Sequence, residues 1–185
     1  IGVETAQEPA RYTGGEARQS RDLEQVHLAL GFEGVSFSDP DYFALSVMST
    51  ILGGGMSSRL FQEVREERGL VYTIYSFASS YLDGGLFGVY AGTGEDEAET
   101  VVPVICDILS GLANTVSDQE LKRAKAQIKA GILMSLESTA SRCEQLARQI
   151  LVLGRPLPPD EISSRIDDVG RDAIIAISGR LLERT

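Results

Sequence analysis

The sequence holds one histidine, two cysteines and no tryptophan in 185 residues. A catalytic zinc site draws about three protein ligands, commonly more than one of them histidine, so this chain is nearly without donors for classical zinc chemistry. Its two cysteines, Cys106 and Cys143, are too few and too far apart for a disulfide framework or a Cys-x-x-Cys metal knuckle. Each stands among apolar residues of a helical pattern and reads as a small buried side chain in a reduced protein. Basic residues are in deficit, with 17 Lys and Arg against 27 Asp and Glu and a net charge of -10. Binding to a nucleic-acid backbone displaces counterions with a basic surface, and this balance argues against such a partner. No run of about 18 apolar residues is present to span a membrane. The N-terminus lacks the charged-then-apolar pattern of a signal peptide, and Ile1-Gly2-Val3 reads as a cut inside a longer protein. With unpaired thiols, these absences give a cytoplasmic expectation. What remains, 43% hydrophobic and 24% charged residues, suits one domain with an ordinary buried core.

Residues 1 to 20, with Pro9 and Gly14-Gly15, read as a linker or arm, and residues 21 to 185 as the folded domain. From 24 to 32, Val26, Leu28, Leu30 and Phe32 alternate with Gln25, His27, Ala29 and Gly31, the period of a half-buried strand. His27 falls on its polar side and reads as a surface residue. Asp39-Pro40 predicts the opening of a helix with Phe43, Val47, Met48 and Ile51 as its inner stripe, ended by Gly53-Gly54-Gly55. A shorter helix follows from Ser57 or Ser58, with Leu60, Phe61 and Val64 inward and Gly69 closing it. Residues 70 to 80 and 86 to 92, joined at Asp83-Gly84-Gly85, form the best hairpin in the sequence. The remainder predicts helices over 96–113 (with an irregularity at Pro103), 117–136 (opened by a Ser117/Glu120 capping box), 139–153, 160–167 and 171–183. The fold class is α+β, an antiparallel or mixed sheet with helices packed on one face. Three strands is thin for so many helices, which implies a further strand supplied from outside this stretch.

The densest polar cluster runs from Gly53 to Ile74: a glycine loop, a charged helix, then a strand at once. Arg65 lies in the helix's last turn and Tyr72 just inside the strand, so a reversal at Gly69 brings guanidinium and phenol to one end of the sheet. Such a pair donates hydrogen bonds to a carbonyl or oxyanion but supplies neither base nor nucleophile. Spacing alone favours the plainer alternative, a solvated helix beside a strand tyrosine. Glu63, Glu66 and Glu67 read as a charged face paired i,i+4 with Arg59 and Arg68, and Lys122, Lys125 and Lys129 as a solvated stripe.

The run Leu52-Gly-Gly-Gly-Met-Ser-Ser-Arg-Leu-Phe followed by Val64-Arg-Glu-Glu-Arg-Gly-Leu-Val-Tyr72 resembles the C-terminal half of pitrilysin/insulinase-type zinc metallopeptidases, with processing peptidase-like bacterial members most similar. The strand around His27 and the helix after Asp39 match in order, so the resemblance covers about residues 20 to 183. It implies one half of a two-half clamshell. The zinc belongs to the absent N-terminal half, on an inverted His-x-x-Glu-His helix, so this chain carries no metal and no cofactor of its own. It also implies that Arg65 and Tyr72 hold the scissile carbonyl and the oxyanion of a peptide cleaved in that other half. Gly53, Gly54, Gly55, Ser57 and Arg59 are the implied substrate-binding residues of a flexible loop. The implied partners are the zinc-bearing half, in the same chain or a separate subunit, and a peptide. The alternative within the same fold is a non-catalytic scaffold or assembly domain.

Overall fold

The computed structural model describes residues 8–183 and places the hairpin at the centre of the fold. β2 (Val71–Ser80) and β3 (Gly85–Thr93) pair antiparallel, and β1 (Val26–Glu33) pairs antiparallel with the other side of β3, giving the order β1-β3-β2. Of the two sheet types the sequence left open, the three strands among the described residues form the antiparallel one. β1 keeps its period. Val26, Leu28 and Leu30 are half-buried and Phe32 is buried, while His27, Ala29 and Gly31 are exposed. Phe32 meets Phe87 of β3 with ring centroids 5.9 Å apart. His27 bonds Tyr90 through Nδ1 (2.7 Å), and Tyr90 stacks on Tyr75, so the exposed sheet face carries a short aromatic row.

Helices cover the other face. α1 (Tyr42–Gly53) is the hub, with Leu45, Val47, Met48, Ile51 and Leu52 buried among the strands and the helices that follow. It starts later than Asp39-Pro40 suggested. The Asp39 carboxylate accepts the Asp41 N–H (2.8 Å) and pairs with Arg180 (2.9 Å), which makes a turn there instead of a helix cap. After β3 come α2 (Ala98–Thr115), α3 (Asp118–Ser135), α4 (Thr139–Leu153), α5 (Pro159–Asp167) and α6 (Arg171–Leu182). Each boundary has a local cause. The Ser117/Glu120 capping box opens α3, Ser138 caps α4, and Gly154 ends α4 in the left-handed conformation. Pro103 sits inside α2 without ending it.

Two expectations about exposure change. Cys106 and Cys143 are both exposed. Their apolar neighbours in sequence lie on other sides of their helices: α2 buries Val104, Ile105 and Ile108 but turns Cys106 outward, and α4 buries no residue fully. The lysine stripe is not simply solvated, because Lys125 Nζ donates to the Asp167 carbonyl (2.9 Å) and Lys129 pairs with its carboxylate (2.7 Å). That clamp ties α3 to the C-terminal end of α5, where cations favour the helix dipole. Residues 8–23 form no helix or strand and are tied down by Ala10 N–H to Asp83 and Tyr12 Oη to the Gly31 carbonyl, both 2.7 Å. Residues 1–7 of the expected arm lie outside the described residues. Among the described residues no single helix is long and apolar enough to cross a membrane.

Candidate functional site

The site is built where α1 meets β2. A Cβ on Gly53 would stand 2.7 Å from Ser76 Oγ, 2.9 Å from the Tyr75 carbonyl carbon and closer still to Ser76 N, so only glycine lets the helix end on the strand. Ser76 Oγ donates to the Ser49 carbonyl (2.6 Å) and contacts Ser49 Oγ (3.1 Å), which locks the same crossing.

The loop that follows is held rather than loose. Gln62 Nε2 donates to the Met56 carbonyl (2.6 Å), Arg123 Nη2 to that of Ser57 (2.6 Å), Ser58 Oγ to that of Gly55 (2.5 Å), and Gln127 Nε2 to that of Gly54. Four consecutive carbonyls are therefore satisfied, while Met56 stands 74% exposed above them.

Phe61–Glu67 winds as a π-helix where the sequence predicts an ordinary helix. This wider form, with bonds to the residue five back, is rare and concentrates at functional positions. Of its expected inward side, Leu60 and Val64 are buried at 0% exposure, while Phe61 is only half-buried and faces the exposed Arg65. Gly69, at φ 64°, reverses the chain, a conformation that costs glycine little. There the Gly69 N–H donates to the Arg65 carbonyl (3.1 Å) and the Leu70 N–H to the Val64 carbonyl (3.0 Å).

β2 then begins with an irregularity: Val71 pairs with Thr93 and Thr73 with Gly92, which leaves Tyr72 as the extra, unpaired residue. Such a bulge re-aims a side chain and is common beside active sites. Val71 and Ile74 both face the core, while Tyr72 (62% exposed) and Thr73 face out. Arg65 is also exposed, its guanidinium 4.7 Å above the Phe61 ring centroid. No hydrogen bond joins Arg65 to Tyr72; they issue from the two sides of one reversal, and neither side chain donates to any other described residue.

Arg59 is the opposite case. Its Nε and Nη2 bind Glu120 (2.6 and 2.9 Å), Nη1 binds Thr115 Oγ1 (2.6 Å) and Nη2 the Thr115 carbonyl (2.9 Å), which commits four of its five N–H donors. The implied substrate role therefore has almost no donor left to rest on, and Arg59 fastens the π-helix to the start of α3. The expected i,i+4 pairs of Glu63, Glu66 and Glu67 with Arg59 and Arg68 are absent among the described residues. Burial works against the charge of Glu120, yet hydrogen bonds from Arg59 and Ser117 outweigh it and hold the carboxyl at about 2, well below the usual range. A lowered carboxyl contributes stability above its unfolded value, 4.5, and loses it as pH falls toward about 2. Urea unfolding should show Arg59→Ala costing about 2 to 3 kcal/mol at neutral pH, because a half-buried carboxylate is stranded. Glu120→Gln should flatten the loss of stability between pH 4.5 and 2. Equal slopes in the two proteins would remove this ion pair from the account.

Among the described residues four polar side chains are buried, and three of them lie at this site: Ser58 and Thr93 donate to backbone carbonyls, and Ser49 meets the Ser76 hydroxyl. Sequence reading missed all three. The only trace of the bulge in the sequence is the three-residue spacing of Val71 and Ile74, which breaks the period of a strand. The Arg65–Tyr72 surface is open. Two clefts, of 460 and 850 Å³, run along α4 and are lined by residues such as Phe37, Tyr42 and Arg148, and neither includes Arg65 or Tyr72. Among the described residues no three of His, Cys, Asp or Glu lie together in a way that could hold a metal ion, so no metal step is derived on this chain.

The site is a one-faced α+β layer that presents Arg65 and Tyr72 on an open surface. The model of the peptidase M16 inactive domain matches residues 3–128, and the chain belongs to that family. An uncharacterized zinc protease of Rickettsia felis is 36% identical over 174 residues, which are 94% of this chain and 42% of that protein. The solved peptidase M16 inactive domain from Pseudomonas fluorescens superposes with a TM-score of 0.75 at 29% identity, over 85% of this chain and 38% of that one. A chain in complex III2 of Candida albicans shares the fold, with a TM-score of 0.86 at 21% identity over 97% of this chain and 45% of that one. The chain spans less than half the length of each.

Proposed function

We propose that this chain is the substrate-contacting, non-metal half of a zinc endopeptidase of the processing-peptidase type. The cleaving zinc belongs to a second half, in the same chain or a separate subunit. One observation carries the reading: Arg65 and Tyr72 stand exposed, with donors committed to nothing else, on a backbone that buried hydroxyls and a glycine reversal hold in place. Arg65 donates to the carbonyl of a peptide lying between the halves, its guanidinium steadied by the Phe61 ring. The Tyr72 phenol donates to the oxygen that gains charge as the carbonyl is attacked, where a fixed donor is worth most. Met56 and Ser57, on the held glycine loop, add contacts along the peptide.

The test is photo-cross-linking in the two-half protein with a cleavage-resistant peptide. Tyr72→p-benzoyl-phenylalanine should form a peptide adduct. The same replacement at Tyr81, exposed at the far end of β2, should not. No adduct from position 72, or equal labelling at both, overturns the reading and favours a scaffold domain of the same fold.

A further inference from the structure

Leu70 is tied in two directions. Its N–H donates to the Val64 carbonyl in the π-helix (3.0 Å), and its own carbonyl accepts the Thr93 hydroxyl of β3 (2.5 Å). Thr93 is one of four buried polar side chains among the described residues, at 0% exposure. A hydroxyl kept out of water is costly unless it is hydrogen-bonded, so a threonine here specifies a geometry that valine could not. The same Thr93 pairs with Val71 at the point where the register slips and Tyr72 becomes the extra residue. The helix that carries Arg65 and the bulge that carries Tyr72 therefore meet at one residue, and one buried hydroxyl fixes where it sits.

We infer that Thr93 is a positioning residue: through the Leu70 carbonyl it sets the bulge and aims the Tyr72 phenol, holding it in register with Arg65. It touches no substrate itself. The inference deepens the peptide-contact reading and rests on it. The π-helix exit supplies the second tie, because the Gly69 N–H to the Arg65 carbonyl (3.1 Å) closes the same turn. Shifting a strand by one residue moves each side chain to the opposite face, and these anchors add to the register that burial of Val71 and Ile74 already favours.

The experiment is a double-mutant cycle on kcat/KM for peptide cleavage by the complete two-half protein. Thr93→Val should lower kcat/KM by about tenfold, mainly in kcat, and Thr93→Ser should restore it to within about twofold. In the Tyr72→Phe background, Thr93→Val should cost less than about twofold more, because a residue that acts through the phenol has nothing left to aim. If Thr93→Val fails to fold, Gly69→Ala takes its place. A Cβ there meets nothing within 4 Å, so only the reversal is disturbed, and the same non-additivity with Tyr72→Phe is expected. Full additivity of either variant with Tyr72→Phe, or a Thr93→Val protein that folds and cleaves normally, overturns the inference and leaves the peptide-contact reading standing. A Tyr72→Phe protein that cleaves at the wild-type rate overturns the reading itself, and the inference with it.

Discussion

Arg65→Ala in the complete two-half protein should lower kcat/KM for a peptide by about 100- to 1,000-fold, the range found when one preorganised oxyanion donor is removed. The same change leaves folding nearly intact. Arg65 is exposed, and its guanidinium lies over the Phe61 ring, a contact worth about 0.5 to 1 kcal/mol at such a site. Arg59→Ala should do the reverse, lowering stability through the stranded Glu120 while sparing activity in the protein that remains folded. The two arginines lie six positions apart in one short segment and differ only in what surrounds them. Steady-state kinetics beside thermal unfolding decides the matter, and an Arg65→Ala protein with kcat/KM within twofold of wild type removes Arg65 from the site.

The second large effect is on stability. Gly53→Ala forces a Cβ into the Ser76 and Tyr75 backbone, which cannot swing aside as a side-chain tip can. α1 has to retreat from β2, which stretches the Ser49–Ser76 hydrogen bonds and loosens the packing of Leu52 beneath the sheet. A cost of about 3 kcal/mol follows from overpacking of this kind, and for a domain of this size the unfolding midpoint falls by roughly 6 to 12 °C. Gly69→Ala is the control. Its Cβ meets open space, so only the positive φ is strained and the cost is about 1 to 2 kcal/mol. Calorimetry that ranks Gly69→Ala as the more damaging variant would contradict the close approach at Gly53.

Much of the fold was legible because its signals are local. The alternation of β1, the Asp83-Gly84-Gly85 hairpin, the Ser117/Glu120 capping box and the Gly154 stop each depend on residues a few positions apart. They appear where the pattern puts them. What was not legible depends on distance along the chain. Arg59 finds Glu120 and Thr115 more than 50 positions away, so its neighbours in sequence gave the wrong partners. Thr93 reaches Leu70 only because β3 returns beside β2. The cysteines were misplaced because adjacent positions on a helix point in different directions. Arg65 and Tyr72 were legible as candidates by resemblance; the π-helix and the bulge that present them were not.

The most direct test of the central claim is a titration. The zinc-bearing half is assayed for peptide cleavage while this chain is added in increasing amounts, first wild type and then with Arg65→Ala and Tyr72→Phe combined. Cleavage should rise and saturate with the wild-type chain, and the double variant should still associate with its partner but restore less than about a hundredth of the rate. Cleavage by the zinc half that needs no added chain, or that the double variant restores in full, contradicts the claim.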